Sequence, residues 1–278
     1  MRALPALGQS ALLLMLLLAA APLAAEQKPL WEFGLGVGAI AFQDYRGADT
    51  THAYVLPLPY LYYRGRFLQA DRNGVRGRLF DQDWIELNIS GNATTPVRRN
   101  AARAGMPDLR STLEVGPSLE MHVWRSADQR VKFDVRLPLR EVFTLQAPPH
   151  AIGMVFAPHA AIDVANVAGL QGWYFGALAG PLFGDHRYHD YFYSVAPQYA
   201  TSWRPAYEAR AGYSGTEVLA SLSKRYPSFW VGAYVRHDFL QGAAFGPSPL
   251  VKRSDYWAGG CGVAWIIHQS AAMVDAFD

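Results

Sequence analysis

The sequence has a single cysteine, Cys261, in 278 residues, so no disulfide can form within the chain and no thiol-based metal frame is available. It also has few charges: 17% of residues are Asp, Glu, Lys or Arg, and the formal net charge is +2. That balance gives no bulk attraction for a polyanion, and nucleic acid is not expected as a partner. Beyond Ala21 no apolar run approaches the ~20 residues that a membrane-spanning helix requires. Residence in a membrane would have to be through strands. An HExxH-type metal motif is missing as well.

What is present begins with Met1 and Arg2, an apolar run over 11–21, and small residues at Ala24 and Ala25. This is the form of a secretory signal, with cleavage expected after Ala25. Residues 26–278 are then expected to form one domain. Although 51% of the chain is hydrophobic and 13% aromatic, the apolar residues are dispersed in a period of two. The pattern is cleanest where Leu113, Val115, Pro117, Leu119, Met121 and Val123 alternate with Thr112, Glu114, Gly116, Ser118, Glu120 and His122. The next segment repeats it, with Val131, Phe133, Val135, Leu137 and Leu139 set against Lys132, Asp134, Arg136 and Arg140.

Soluble sandwich strands average about 5–6 residues, whereas a tilted membrane strand needs about 9–11. The longer alternation predicts an all-β transmembrane antiparallel barrel. Twelve strands are expected, at 31–42, 53–63, 66–80, 84–91, 113–123, 131–140, 153–164, 172–183, 207–215, 218–225, 229–239 and 256–267. The apolar piece 191–195 is assigned to a loop-associated strand, because a bacterial barrel takes an even number. Tyr54, Tyr60, Tyr62 and Tyr63, and separately Tyr188, Tyr191, Phe192 and Tyr193, are candidates for interfacial girdles. Cys261, between Gly260 and Gly262, reads as a small packed strand residue.

Alternation sends Glu114, Glu120, His122, Lys132, Asp134, Arg136 and Arg140 to the lumen side, where opposite charges can pair. A turn near 127–129 sets Glu120 opposite Arg136 and His122 opposite Asp134. Ser118 and His122 share that face, but residues four apart on a strand lie roughly 13 Å from each other, beyond hydrogen-bond reach. The same spacing separates His159 from Asp163. The stretch 184–190 holds possible ligands without a recognised frame, so no catalytic residue, metal or cofactor is expected. The long connection between Ala93 and Arg110 carries Arg98, Arg99, Arg103 and Arg110 against Asp108 alone, a candidate surface for an anionic partner.

Several segments in order resemble the MipA/OmpV family of outer-membrane proteins, the MltA-interacting proteins. They are Gly34-Leu35-Gly36-Val37-Gly38, Asp44-Tyr45-Arg46-Gly47, Pro57-Leu58-Pro59-Tyr60-Leu61-Tyr62-Tyr63-Arg64-Gly65, Arg136-Leu137-Pro138-Leu139-Arg140, Gly180-Pro181-Leu182-Phe183-Gly184-Asp185, the 191–197 piece and Ser248-Pro249-Leu250-Val251. The resemblance implies a Gram-negative outer-membrane barrel that scaffolds a lytic transglycosylase and a murein synthase. It also leaves room for a porin-like channel or a surface adhesin. Outer-membrane lipid, including lipopolysaccharide, is the expected surrounding. The resemblance carries no catalytic residues. One departure is the tail 268–278, since such barrels usually finish on a terminal aromatic and here only Phe277 could serve.

Overall fold

Strands with one apolar and one polar face must hide the polar face from lipid, and closing the sheet on itself does so while pairing its first strand with its last. The computed structural model describes residues 26–65, 67–71 and 74–276. The expected signal at 1–25, and Phe277, lie outside the described residues. The wall is built from β2 (Trp31–Gln43), β3 (Thr51–Arg64), β4 (Leu68–Asp71), β5 (Gly74–Gln82), β6 (Ile85–Thr94), β7 (Thr112–Arg125), β8 (Val131–Thr144), β9 (His150–Phe156), β10 (His159–Ala165), β11 (Trp173–Gly184), β12 (Gly212–Arg225), β13 (Phe229–Phe239) and β14 (Asp255–Gln269). All pairings are antiparallel, and β14 closes on β2. Since β9 and β10 together occupy one place between β8 and β11, the ring has twelve staves. A separate ribbon, β1 (Glu26–Pro29) with β15 (Met273–Ala276), joins the first and last described strands at one end.

The count of twelve is reached by a different route from the one the alternation suggests. The expected strand 66–80 is divided between the two strands of a hairpin, β4 and β5. Residues 212–215 of the expected strand 207–215 run on with 218–225 as one strand, β12, because Gly215 takes φ +108° and is absorbed as an irregularity instead of a turn, while 207–211 lie in the preceding connection, where Tyr207 bridges Val195. The piece 191–195 belongs mostly to a helix, α1 (His186–Tyr193), whose N-terminus is capped by the Asp185 carboxylate accepting from the Tyr188 amide.

The two girdle assignments also change. Tyr60 is buried on the inner face and donates to Glu32, while Phe192 and Tyr193 pack in a loop core. Exposed aromatics instead form a belt near the β1–β15 end, with Trp31, Phe33, Trp84, Trp124 and Trp265. A second belt at the other rim has Phe156, Phe183, Phe239 and Trp257. Cys261 is exposed on the outer face, opposite Ala39.

Glycine permits the closing seam. A Cβ on Gly36 would overlap the Val263 carbonyl oxygen of β14, and one on Gly116 would overlap that of Leu139 on β8. Four connections at the end opposite the β1–β15 ribbon, 44–50, 95–111, 185–211 and 240–254, fold over the rim as a cap. Its core includes Tyr45, Val97, Leu109, Tyr193, Leu240 and Phe245, with the Tyr193 and Phe245 rings stacked 3.7 Å apart.

Candidate functional site

The inner face carries three groups of charge. Near the β1–β15 end, fully buried Glu32 accepts from Arg64 at 2.9 Å, Arg225 at 2.7 Å and the Tyr60 hydroxyl at 3.3 Å. On β7 and β8 the register sets Glu120 opposite Arg136 and His122 opposite Asp134, as the opposite-charge argument requires. Glu120 and Arg136 form an ion pair at 3.1 Å, His122 Nδ1 lies 3.0 Å from the Asp134 carboxylate, and Arg125 joins Asp134 at 2.6 Å. Toward the cap, Arg140 lies 3.5 Å from Glu114. Beside it, Asp238 accepts from Arg46 at 2.6 Å and from both Arg236 nitrogens at 2.8 and 2.7 Å, with Glu217 3.2 Å from Arg236. Lys132, also assigned to the lumen, sits across from Asp163 on β10.

The carboxylates and ring of Glu120, His122 and Asp134 offer ligand atoms within 4.8 Å of one another. Arg125 and Arg136 already bond to these acceptors, an arrangement that suits an ion-pair network more than a cation site. Ser118 stands opposite Asn88 and Pro138, with no base facing it. His159 directs Nδ1 to the Ala157 carbonyl at 2.8 Å. Neither arrangement aligns a nucleophile, a base and an orienting group.

Between the charged layers lies a cavity of about 720 Å³. One wall presents Ile40, Leu56, Leu58, Tyr60, Trp230 and Tyr234; Arg136, Asp163, Ser221 and Ser223 supply its polar side. A second space of about 390 Å³ sits directly beneath the cap, bounded by Arg46, Glu114, Arg140, Phe192 and Arg236 among others.

The four arginines singled out from sequence do not behave alike. Arg98, Arg99 and Arg110 are exposed on the cap. Arg103 is 8% exposed and donates to the Phe192 carbonyl at 2.9 Å and to that of Pro107 at 3.4 Å. Its environment is buried enough to hold its pKa below the ordinary arginine value. It fastens the segment to α1 and is not presented to a partner.

Sequence reasoning passed over several further groups that build the cap. Arg204 is 2% exposed and donates to the carbonyls of Ala102, Ala104 and Tyr199. Arg46 bridges Asp238 and the Ser214 carbonyl. His189 is fully buried, with Nδ1 on the Arg210 carbonyl and Nε2 2.6 Å from the Ser214 hydroxyl. Burial lowers its pKa from the usual histidine value. Asp238 had a readable signal, since it alternates with Arg236 on one face; Arg204 lies in an irregular loop without periodicity.

A family model described as "MltA-interacting protein MipA" matches residues 35–267. No curated protein sequence matches significantly. Among solved structures, the chain is similar to one titled a bacterial polysaccharide outer membrane secretin, at 9% identity and TM-score 0.41, covering 85% of this chain and 99% of that one. It is also similar to the Pseudomonas putida toluene transporter TodX, at 10% identity and TM-score 0.28, covering 91% and 70%.

Proposed function

Because the chain belongs to the MipA family of MltA-interacting proteins and folds as an outer-membrane β-barrel, we propose that it works without catalysis, as a scaffold for peptidoglycan-remodelling enzymes. The partners in this reading are a lytic transglycosylase and a murein synthase. The observation that carries it is the closure of the lumen. A packed cap covers one end, and charges of both signs on the inner face pair with one another along the wall and with the cap, which leaves few free charges to line a path. Wide-pore transport would need both removed.

With the β1–β15 ribbon on the periplasmic side, the short turns at that end face the murein layer, and the segment 95–111 faces outward. The hairpin at β4–β5 supports this placement, since it makes β6 the fifth stave and brings its following loop to the cap, at the end opposite the ribbon. Enzyme binding then belongs to the ribbon end. The test is retention of a purified lytic transglycosylase by the reconstituted barrel, compared with an unrelated barrel. Equal retention by both, together with large single-channel conductance, would replace the scaffold reading with the porin one.

A second contact is favoured by exposed Arg98, Arg99 and Arg110, whose guanidinium forks fit lipopolysaccharide phosphates on the outer face. Replacing these three with serine should weaken lipopolysaccharide binding and leave enzyme retention unchanged.

A further inference from the structure

The barrel wall is uneven. Over its full length β3 is bonded to β2, from Gln43–Thr51 to Trp31–Tyr63. On its other edge it pairs with β4 only at Tyr63 and Arg64. The β4–β5 hairpin is too short to reach further, so among the described residues no strand pairs with β3 over 51–61 on that side.

The sequence of β3 is built for such an edge. The Arg64 amide donates to Leu30 and the Asp44 amide donates to Thr50, which fixes the even-numbered residues of β3 as those bonded toward β2. Pro57 and Pro59 are odd-numbered, so the positions where they lack an N–H face the open side. Proline is confined to sheet edges for this reason, and two of them would deprive an incoming strand of two ladder bonds. They therefore disfavour closure by a strand of another chain or a second copy of this one.

Above the gap, the 95–111 segment crosses from β6 to the top of β2 and β3, where the Asn100 amide donates to the Asp44 carboxylate at 2.7 Å. The gap is thus a window, framed by β3, the β4–β5 hairpin, β6 and this crossing segment. On the inner side of β3, Tyr54 and Leu56 remain 44% and 50% exposed, whereas Tyr60, level with the hairpin, is 6% exposed. Leu56 and Leu58 also line the 720 Å³ cavity. That volume lies within the range of about 300–1,000 Å³ typical of small-molecule sites. Unpaired backbone at membrane depth is tolerated only where it is buried in protein or lines a water-filled cavity, and the two prolines remove two of the donors that this edge would otherwise leave unbonded.

We propose that this window admits the hydrocarbon chain of an amphiphile from the outer membrane into the apolar chamber, with the polar head held at the cap-side rim. The chemistry is that of the walls: leucine, isoleucine and tryptophan side chains for the chain, and water and loop polar groups at the rim for the head. This inference is independent of the scaffold reading.

The experiment uses the full barrel in vesicles, with Cys261→Ala and a nitroxide placed at Leu58→Cys. Collisions with membrane-dissolved oxygen should exceed those with a water-soluble nickel chelate. Titration with palmitic acid or lysophosphatidylcholine should immobilise the label saturably, and palmitic acid alone doing so would assign the site to a free fatty acid. Ser221→Leu, which intrudes from the opposite wall, should weaken binding at least tenfold while the barrel still shifts on heating in gels. Dominant collision with the nickel chelate, or saturable binding by neither amphiphile, would overturn the proposal. Unchanged affinity in folded Ser221→Leu would overturn it too.

Discussion

Replacing Asp238 by asparagine tests the interior charge network where it is most concentrated. The carboxylate is fully buried and accepts three guanidinium hydrogen bonds, one from Arg46 and two from Arg236. Asparagine keeps one acceptor oxygen and removes the negative charge. Arg236 retains Glu217, but Arg46 is left with the Ser214 carbonyl. Three charge-assisted bonds at about 1.5–3 kcal/mol each would set an upper bound well above the measured range for breaking a buried pair, about 3–5 kcal/mol. With one acceptor kept, a loss of about 3 kcal/mol is expected, roughly a hundredfold in the folded ratio. Urea unfolding in micelles, followed by tryptophan emission, measures it. Arg46→Met combined with Asp238→Asn removes the stranded cation and should recover at least about 1 kcal/mol, a coupling that distant sites would not show. A single variant within about 0.5 kcal/mol of the unaltered protein would refute the view that this network holds the cap.

Burial keeps His189 less basic in the folded cap than in the unfolded chain, so the unfolded chain takes up the extra proton as pH falls past about 6.5. The cap should accordingly be fully stable above that pH and lose protection below it, read as faster hydrogen exchange in α1 after correction for intrinsic rates; His189→Gln should flatten the dependence. Gly36→Val, whose side chain would meet the Val263 carbonyl, should abolish the heat-modifiable gel band that the unaltered barrel gives. Arg103→Gln should loosen the cap by about 1–3 kcal/mol through the carbonyls it leaves unbonded, whereas serine at Arg98, Arg99 and Arg110 should leave thermal unfolding unchanged.

Long alternation made the barrel and the β7–β8 register legible, because a half-buried strand has only one period and opposite charges choose between neighbouring registers. Glu120 and Arg136 illustrate this: both the face and the partner follow from counting. The cap was not legible. Its helix sits in an aromatic stretch, Tyr188 to Tyr193, that also fits a strand, and the decision rests on Asp185 as an N-cap and on packing against Phe245. Arg103 shows the same limit at the site. Four arginines in one loop look equivalent until distant Phe192 claims one of them. Nor did the girdle tyrosines announce their direction, since Tyr60 turns inward to a glutamate 28 residues away.

The ring of staves has one long-sealed seam and one short one. Between β14 and β2, where the first and last wall strands meet, the ladder runs from Ala258–Phe42 to Gln269–Glu32, and the β1–β15 ribbon adds a clasp beyond it. Between β3 and β4, neighbours in sequence, the ladder has two rungs. Mechanically, the hoop is firmly laddered where the polymer has to be joined and weakest at a place where it is continuous. Lateral strain in the membrane would therefore spread the wall at β3 before parting the first strand from the last, and the covalent link at Gly65 would keep such an opening local.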